Sequence, residues 1–249
     1  MVIYFEIFFY EFMLFFYMSY IYFMSKNKTG ILLINLGSPK KLTKKSVRDY
    51  LKVFLSDDYV LDLPKILQQL ILRVFILPFR PKNTLEAYEQ IWTPEGSPLI
   101  LSTESIAKKL SSKTGWDVDF AMRYEDPSIE NALLNFKNKG IKKIIVISLY
   151  PHNAMATTIT TEMETRILAN KVFEDFELTF TKPFFDNEIY IDAVSNSIKP
   201  YIKKASYDKI IFSYHGIPKR QAKKTDETGE HCFSTGNCCE VEGEGSKDC

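Results

Sequence analysis

The sequence predicts an α/β protein built from doubly wound parallel sheets, and two observations support this fold class. First, short apolar runs alternate along the chain with stretches whose apolar residues recur at helical spacing. Second, the runs "GILLINLGSP" and "IKKIIVISLYP" are largely apolar rather than alternating, as is typical of strands buried on both faces. Strands that are separated by helices form βαβ units, whose helices cover both faces of a parallel sheet.

The first elements follow from these patterns. A strand in "GILLINLGSP" ends at Gly37, and "KKSVRDYLKVFL" after it has helical spacing. Helices are expected in "TLEAYEQIW" and from about Ser102 to Ser112, before a strand in "WDVDFAMRY". The stretch "DPSIENALLNFKNKG" predicts a helix with Asp126 as its N-cap, Pro127 in its first turn and Gly140 at its end.

The later elements suggest two domains. A strand in "IKKIIVISLYP", a helix in "TTITTEMETRILAN" and a strand in "FELTFTKPF" complete a first α/β domain over residues 25–183. Residues 184–249 then offer a helix from about Asn187 to Lys204 and a strand in "KIIFSYH". Because one strand makes no sheet, we expect a second α/β domain that is incomplete, and a chain that is a fragment.

Composition narrows the function classes. The chain is 45% hydrophobic and 25% charged with a net charge of +1, so no basic surface for nucleic acid is predicted. Residues 1–24 form an aromatic extension in which twelve residues are Phe or Tyr. Three interpretations stay open: translated sequence upstream of a true start at Met24, a membrane anchor interrupted by Glu6 and Glu11, or a folded element.

Polar and aromatic side chains follow several predicted strands at the point where each strand ends. They include Arg123 and Tyr124, then Tyr150 and His152, and finally His215 in "SYHGIPKR". Ligands of parallel sheets bind at this carboxyl edge. Neither a G-x-G-x-x-G turn nor a G-x-S-x-G elbow is present, which disfavours dinucleotide binding and serine hydrolysis. The pattern favours a crevice for a large aromatic ligand with imidazole chemistry, with or without a metal.

These motifs resemble the ferrochelatase family, whose members insert ferrous iron into a porphyrin. The resemblance runs from about Thr29 to about Arg220 through "GILLINLGSP", "VRDYLKVFLSDDYVLDLP", "EGSPL", "MRYEDPSIENAL", "SLYPHNAMATTIT" and "SYHGIPKR". It implies two similar α/β domains with the porphyrin between them. It also implies a lyase of haem biosynthesis that uses Fe2+ as a substrate and forms protohaem. The sequence "INLGSP" lacks a tyrosine typical of the coproporphyrin branch, which favours protoporphyrin IX.

The resemblance assigns roles to single residues. His215 matches the family's active-site histidine, which is argued to accept a pyrrole proton or to ligate iron. The implied porphyrin-binding residues are Ser38, Arg123, Tyr124, Tyr150, Pro151, Thr157 and Thr158. Pairing of Arg123 with Glu125 or Asp126 is an alternative, and a structural role is favoured for His152. The family's glutamate opposite the histidine would lie beyond Cys249, so we expect this chain to be inactive alone.

The segment "PKILQQLILRVFILPFR", residues 64–80, has apolar residues on more than one helical face. Two interpretations stay open. The first is a well-buried helix, and the second, implied by the family, is a hydrophobic lip that touches the membrane and admits the porphyrin. The expected location is the cytoplasm, with peripheral contact at the inner membrane.

All four cysteines lie in the tail: Cys232, Cys238, Cys239 and Cys249. Four thiolates can hold a [2Fe-2S] cluster or zinc, although the C-x5-C-C-x9-C spacing is not that of a zinc ribbon. Some bacterial ferrochelatases resemble this chain in carrying such a cluster after the histidine motif. Cluster, zinc and free thiols all stay open, as do two other functions: a porphyrin- or iron-binding fragment without catalysis, and a related cobalt chelatase.

Overall fold

A computed structural model describes residues 28–204, 206–226 and 228–240. Its single sheet within these ranges has four parallel strands in the order β2-β1-β3-β4. The strands are β1 (Thr29–Asn35), β2 (Asp117–Met122), β3 (Lys143–Ser148) and β4 (Glu177–Phe180). The parallel α/β architecture predicted from the sequence is therefore confirmed. The aromatic extension, residues 1–24, lies outside the described residues.

Helices connect and cover the strands. The N-terminal helices are α1 (Lys44–Leu55), α2 (Lys65–Leu70), α3 (Leu77–Glu89) and α4 (Pro98–Thr114), with a π-helical segment, Ile71–Ile76, joining α2 to α3. The later helices are α5 (Ile129–Asn138), α6 (Thr160–Val172), α7 (Glu188–Ile202) and α8 (Lys219–Thr225). A π-helical turn, Met155–Ile159, precedes α6, and a 3-10 turn covers Cys238–Glu240.

Both faces of the sheet are buried, as its apolar strands require. Leu32 and Ile34 of β1 face a core completed by α5 and α6, whereas Ile31 and Leu33 face Ala107 of α4. A third cluster joins α1 to the α2–α3 region and includes Tyr124. Successive side chains of a strand point to opposite faces, so one strand supplies two cores. This arrangement fixes the carboxyl edge of the sheet, where the candidate site lies.

The predicted N-cap of α5 was wrong. Ser128, not Asp126, accepts a hydrogen bond from the backbone N–H of Asn131, at 3.2 Å. Pro127 therefore precedes the helix instead of lying in its first turn, and the peptide bond between Asp126 and Pro127 is cis. Gly140 ends the α5 region as predicted, with φ at 70°, a value that glycine adopts readily.

The predicted strand in "KIIFSYH" was also wrong. Residues 209–215 have no regular secondary structure and are exposed. A strand needs a hydrogen-bonded neighbour, and no described residue pairs with this segment. The preceding helix α7 has the predicted position but no buried side chain. A second domain over residues 184–249 therefore stays a prediction, since the described residues there contain α7, α8 and the 3-10 turn but no strand.

The interpretation of residues 64–80 as a well-buried helix was wrong as well. Leu72 and Leu77 are buried, but Ile66 and Phe79 are 87% and 72% exposed. We call the exposed set the apolar lip; it comprises Ile66, Leu67, Leu70, Val74, Phe75 and Phe79. Within the described part of the chain, no helix is both long and apolar enough to cross a membrane.

Candidate active site

A mostly apolar cavity of about 490 Å³ opens at the carboxyl edge of the sheet, and we call it the histidine cavity. It brings together four of the residues implied by the family resemblance: Tyr150, Pro151, Thr157 and His215. Tyr214, Gly216, Ile217 and Pro218 complete the wall that carries the histidine. Residues separated by more than fifty positions in sequence therefore meet at the predicted edge.

The end of β3 builds one wall of this cavity. After Ser148 the chain passes through Tyr150 and Pro151 into the π-helical turn that carries Thr157. The hydroxyl of Thr158 is buried and donates to the carbonyl oxygen of His152 at 2.9 Å, so Thr158 fastens this turn. The His152 ring stacks on Phe185 with centroids 5.1 Å apart, which is consistent with the structural role favoured from the sequence.

His215 forms the opposite wall in an exposed, irregular segment. Its neighbour Gly216 has no atom within 4 Å of where a Cβ would lie, so this wall is open. The Tyr150 hydroxyl on the β3 side is buried, and this burial raises the pKa of Tyr150 above the ordinary tyrosine value. The Tyr150 hydroxyl, which has no hydrogen-bond partner among the described residues, is therefore neutral at physiological pH.

A second cavity, of about 550 Å³, contains Arg123 and Tyr124, and we call it the arginine cavity. The Arg123 guanidinium lies 2.7 Å from Asp57, which also accepts hydrogen bonds from the hydroxyls of Tyr124 at 2.8 Å and Thr160 at 2.6 Å. The Arg123 and Asp57 side chains are only 13% and 5% exposed. Arg123 thus pairs with Asp57 and, at the longer distance of 3.9 Å, with Glu164, and not with Glu125 or Asp126. Burial also raises the pKa of Tyr124.

Ser38 occupies a third position. It is buried after β1 with its hydroxyl unpartnered, and it is not among the described residues that line either cavity. The adjacent Gly37 has φ at 100°, and a Cβ there would lie 2.0 Å from the carbonyl oxygen of Tyr124. The "GSP" turn therefore packs against the arginine cavity. Of the predicted porphyrin-binding set, Ser38, Arg123, Tyr124 and Thr158 stand apart from the histidine cavity.

Comparison with known proteins decides the family. A family model described as ferrochelatase matches residues 28–242. The chain belongs to the ferrochelatase family. The ferrochelatase of Pseudomonas fluorescens strain SBW25 is 36% identical over 211 residues, which is 84% of this chain and 61% of that protein. Ferrochelatases of Stutzerimonas stutzeri strain A1501 and Francisella tularensis subsp. holarctica strain OSU18 are 38% identical over 85% and 84% of this chain, and 62% and 64% of their own length.

The chain thus spans slightly more than three fifths of the length of the curated ferrochelatases it matches. The matched region of the ferrochelatase model contains both cavities and three of the four cysteines. Family membership therefore applies to the part of the chain in which the candidate site lies.

Several residues that line the histidine cavity of this ferrochelatase-family chain were not predicted from the sequence as site residues, among them Phe54, Val60 and Gln221. Phe54 stacks on Tyr50, with centroids 5.9 Å apart, and meets Tyr124 edge-on at 5.1 Å. It therefore joins the two cavities. Its helical spacing in α1 indicated only a core position, and the polar Gln221 carried no motif that could have pointed to the site.

The cysteine tail is only partly described. The Cys238 sulfur accepts the backbone N–H of Phe233 at 3.3 Å, and the His231 ring lies 2.8 Å from the carbonyl oxygen of Cys238. The Cys239 side chain and Cys249 lie outside the described residues. Among the residues that are described, no group of three or more His, Cys, Asp or Glu could hold a metal ion.

Proposed function

We propose that this chain forms the histidine side of a ferrochelatase site, which inserts Fe2+ into protoporphyrin IX to form protohaem once the family's glutamate opposite His215 is supplied. The observation that carries the proposal is the histidine cavity, where His215 faces an apolar wall formed by Tyr150 and Pro151. A flat apolar macrocycle needs such a wall, and family membership supplies the reaction class. The chain covers 61% of the length of the Pseudomonas fluorescens ferrochelatase, so the activity and the substrates of the whole enzyme are proposed for it.

Insertion of iron into a porphyrin requires a group that accepts protons. Insertion of Fe2+ replaces two pyrrole N–H protons, so two protons leave the macrocycle as two Fe–N bonds replace the N–H bonds. An imidazole titrates near neutral pH and can accept one proton at a time. We assign this role to His215. Tyr150 cannot take it, because its raised pKa keeps the hydroxyl protonated at physiological pH.

Arg123 and Tyr124 serve this site indirectly in the proposal. The Arg123 charge is already balanced by Asp57, and the Tyr124 hydroxyl already donates to the same carboxylate. Neither side chain offers a free polar group toward the histidine cavity. We therefore regard them as positioning residues beneath the helix that carries Phe54.

A His215→Ala variant tests the proposal, with His152→Ala as the matched control because both rings line the same cavity. Metal-free protoporphyrin fluoresces and iron protoporphyrin does not, so fluorescence reports insertion. We expect His215→Ala to slow insertion about 100-fold or more, as loss of a general base does, while protoporphyrin still binds. His152→Ala should keep most of the wild-type rate.

Two results would contradict the proposal in different ways. A His215→Ala chain that inserts iron at the wild-type rate would exclude His215 as the proton acceptor. A chain extended to carry the family's glutamate opposite His215 that binds protoporphyrin but inserts nothing would favour a binding protein without catalysis. A cobalt chelatase of more acidic macrocycles is less favoured, because neither Lys nor Arg is among the described residues that line the histidine cavity.

We further propose that the protein is cytoplasmic and makes peripheral contact with the inner membrane through the apolar lip. Six exposed apolar side chains in one short region support this, and Arg73 and Arg80 in the same region suit anionic lipid headgroups. Phe75→Ser with Phe79→Ser should reduce co-sedimentation with anionic phospholipid vesicles. Exposed Ile106→Ser on α4 is the control, and equal loss with both variants would contradict a specific lip.

A [2Fe-2S] cluster on Cys232, Cys238, Cys239 and Cys249 is proposed from the cysteine count alone. The N–H bond that the Cys238 sulfur accepts would stabilise a thiolate there. Anaerobically purified protein should then contain about two iron atoms and about two acid-labile sulfide ions per chain. Cys238→Ser should lower the iron and the sulfide content. Bound zinc, or thiols that are all free, would contradict the cluster.

A further inference from the structure

Helix α8 follows the His215 segment directly and packs against a loop of the first domain, residues 57–62. The residues between α7 and α8 have no regular secondary structure and are exposed. The position of His215 relative to Tyr150 therefore depends on how α8 is attached. Three side chains on one face of α8 make this attachment: Arg220, Gln221 and Lys224.

Gln221 is the centre of the attachment. Its side chain is 3% exposed, and Nε2 donates to the carbonyl oxygens of Tyr59 at 3.2 Å and Val60 at 3.4 Å. A buried amide is stable only when it is hydrogen-bonded, so these two bonds fix both the rotation and the depth of α8. Gln221 and Val60 also line the histidine cavity together with His215.

Asp62 provides the charged contacts of the α8 attachment. Its carboxylate, 17% exposed, lies 2.7 Å from the Lys224 ammonium and 3.5 Å from the Arg220 guanidinium. Arg220 and Lys224 are four residues apart and so lie on one face of the helix. The cations are more than half exposed, so solvent weakens each pair, and Gln221 supplies the directional part of the contact.

The loop that receives α8 is itself held firmly. Asp57 binds Arg123, Tyr124 and Thr160, and its carbonyl oxygen accepts from the buried Gln68 side chain at 3.3 Å. The attachment therefore continues from His215 through α8 into the arginine cavity.

We propose that Gln221 and Asp62 are positioning residues that hold the His215 imidazole at the wall of the histidine cavity. This inference rests on the proposed function, since it concerns the histidine assigned there. Proton transfer and metal ligation need the acceptor within hydrogen-bonding reach of the macrocycle. A segment without secondary structure cannot hold an imidazole that closely unless its ends are fixed, and α8 fixes one end.

The test uses two variants of the full chain and one control. Gln221→Met keeps the volume of the side chain but cannot donate, and Asp62→Asn removes the charge, with Asp62→Glu as its conservative rescue. Lys223→Ala is the control, because Lys223 lies on the same helix but contacts the Phe233 ring, 6.0 Å from its ammonium, instead of the loop. Two readouts are needed: amide hydrogen exchange of residues 219–225, and axial binding of His215 to zinc protoporphyrin IX, seen as a shift of its main absorption band.

We expect Gln221→Met to speed exchange in α8 roughly two- to tenfold, the range for loss of a buried hydrogen bond. Asp62→Asn should speed it less, about one and a half- to fivefold, and Asp62→Glu should restore it. The His215-dependent band shift should weaken in parallel, while metal-free protoporphyrin still binds. In an insertion assay the variants should lower kcat more than they raise KM.

Unchanged exchange in α8 would show that the attachment is not made by Gln221 and would overturn the inference. Faster exchange with an unchanged band shift would overturn it too, because α8 would then not position His215. A wild-type chain that binds no protoporphyrin would instead overturn the proposed function, and the positioning role with it. The exchange rates would still report separately whether α8 docks through Gln221.

Discussion

The two cavities at the carboxyl edge of the sheet are neighbours of similar volume but opposite chemistry. In the arginine cavity, the charge of Arg123 and the hydroxyls of Tyr124 and Thr160 all converge on one buried carboxylate, Asp57. In the histidine cavity, apolar and aromatic side chains face an exposed imidazole across open space. In the arginine cavity, Arg123, Tyr124 and Thr160 use their polar groups within the protein, whereas the histidine cavity leaves an apolar surface that a ligand can cover.

The difference teaches that a residue near a site need not touch the ligand. Arg123 and Tyr124 end β2 beside the histidine cavity, yet their polar atoms are used in folding. If this division is right, variants of the arginine cavity should cost stability first. Variants of the histidine cavity should cost function while the fold remains intact.

Asp57→Ala should give the largest effect. It leaves the buried Arg123 guanidinium without its carboxylate and removes the acceptor of two hydroxyls, so we expect a loss of about 3–5 kcal/mol in the free energy of unfolding. Urea unfolding followed by far-UV circular dichroism measures it. His215→Ala, at the exposed wall, should stay within about 0.5 kcal/mol of wild type. A loss below about 1 kcal/mol for Asp57→Ala would mean that the pair behaves like a surface ion pair.

A pair of glycines gives a second, smaller contrast. Alanine at Gly37 would hold a left-handed φ of 100° and place its Cβ 2.0 Å from the Tyr124 carbonyl oxygen, so we expect Gly37→Ala to cost at least about 2 kcal/mol. At Gly216 a Cβ meets nothing within 4 Å, and Gly216→Ala should be neutral within about 0.5 kcal/mol. Thermal unfolding of the two variants side by side makes the comparison. Similar losses would show that the histidine wall is as closely packed as the "GSP" turn.

The four-stranded sheet and its helices were predictable because their signals are local. β1 and β3 are apolar runs buried on both faces, and their helices have clear periodicity, so the strands and helices lie where the patterns place them. The "KIIFSYH" segment has the same apolar pattern but forms no strand. A strand forms only beside a hydrogen-bonded neighbouring strand, and the sequence of one segment does not show whether such a neighbour is present. The predicted N-cap of α5 was wrong for a local reason. Both Asp126 and Ser128 of the "DPS" sequence are residue types that cap helices, and Ser128 is the one that does so.

The site was predictable only in part. The strand-edge rule placed Tyr150 at the end of β3, but its reason for placing His215 there was wrong, because the strand predicted before His215 is absent and the histidine reaches the cavity in an irregular segment. It could not separate Arg123 from them, because the partner of Arg123 is Asp57, sixty-six residues earlier. Gln221 was missed for the same reason: a buried amide on a short helix shows its importance only through contacts with a distant loop, residues 59 and 60.

A second carboxylate, Asp226, sharpens the contrast with Asp57, because it is held by neutral donors instead of a cation. It accepts hydrogen bonds from the hydroxyl and N–H of Thr228, at 2.6 and 3.0 Å, and from the N–H groups of His231 and Cys232, at 2.8 and 2.7 Å. The Thr228 hydroxyl and these N–H groups lower the pKa of Asp226 from 3.8 to about 2. The carboxylate thereby organises the loop that follows α8.

A lowered pKa in the fold means that the charged form stabilises the loop above the unfolded value of 3.8, and that this contribution is lost as the pH falls through about 2. The amide chemical shifts of His231 and Cys232 in the folded protein should therefore be nearly constant down to about pH 3 and then titrate together with a midpoint near pH 2. Asp226→Asn should abolish this shared titration, while amides of β1 serve as the reference for the rest of the fold. Titration that begins above pH 5 would show that these donors do not favour the charged carboxylate. This is the smallest of the three predicted effects, because it concerns one loop. Loss of Asp57 would instead remove contacts that hold Arg123, Tyr124 and Thr160 next to both cavities.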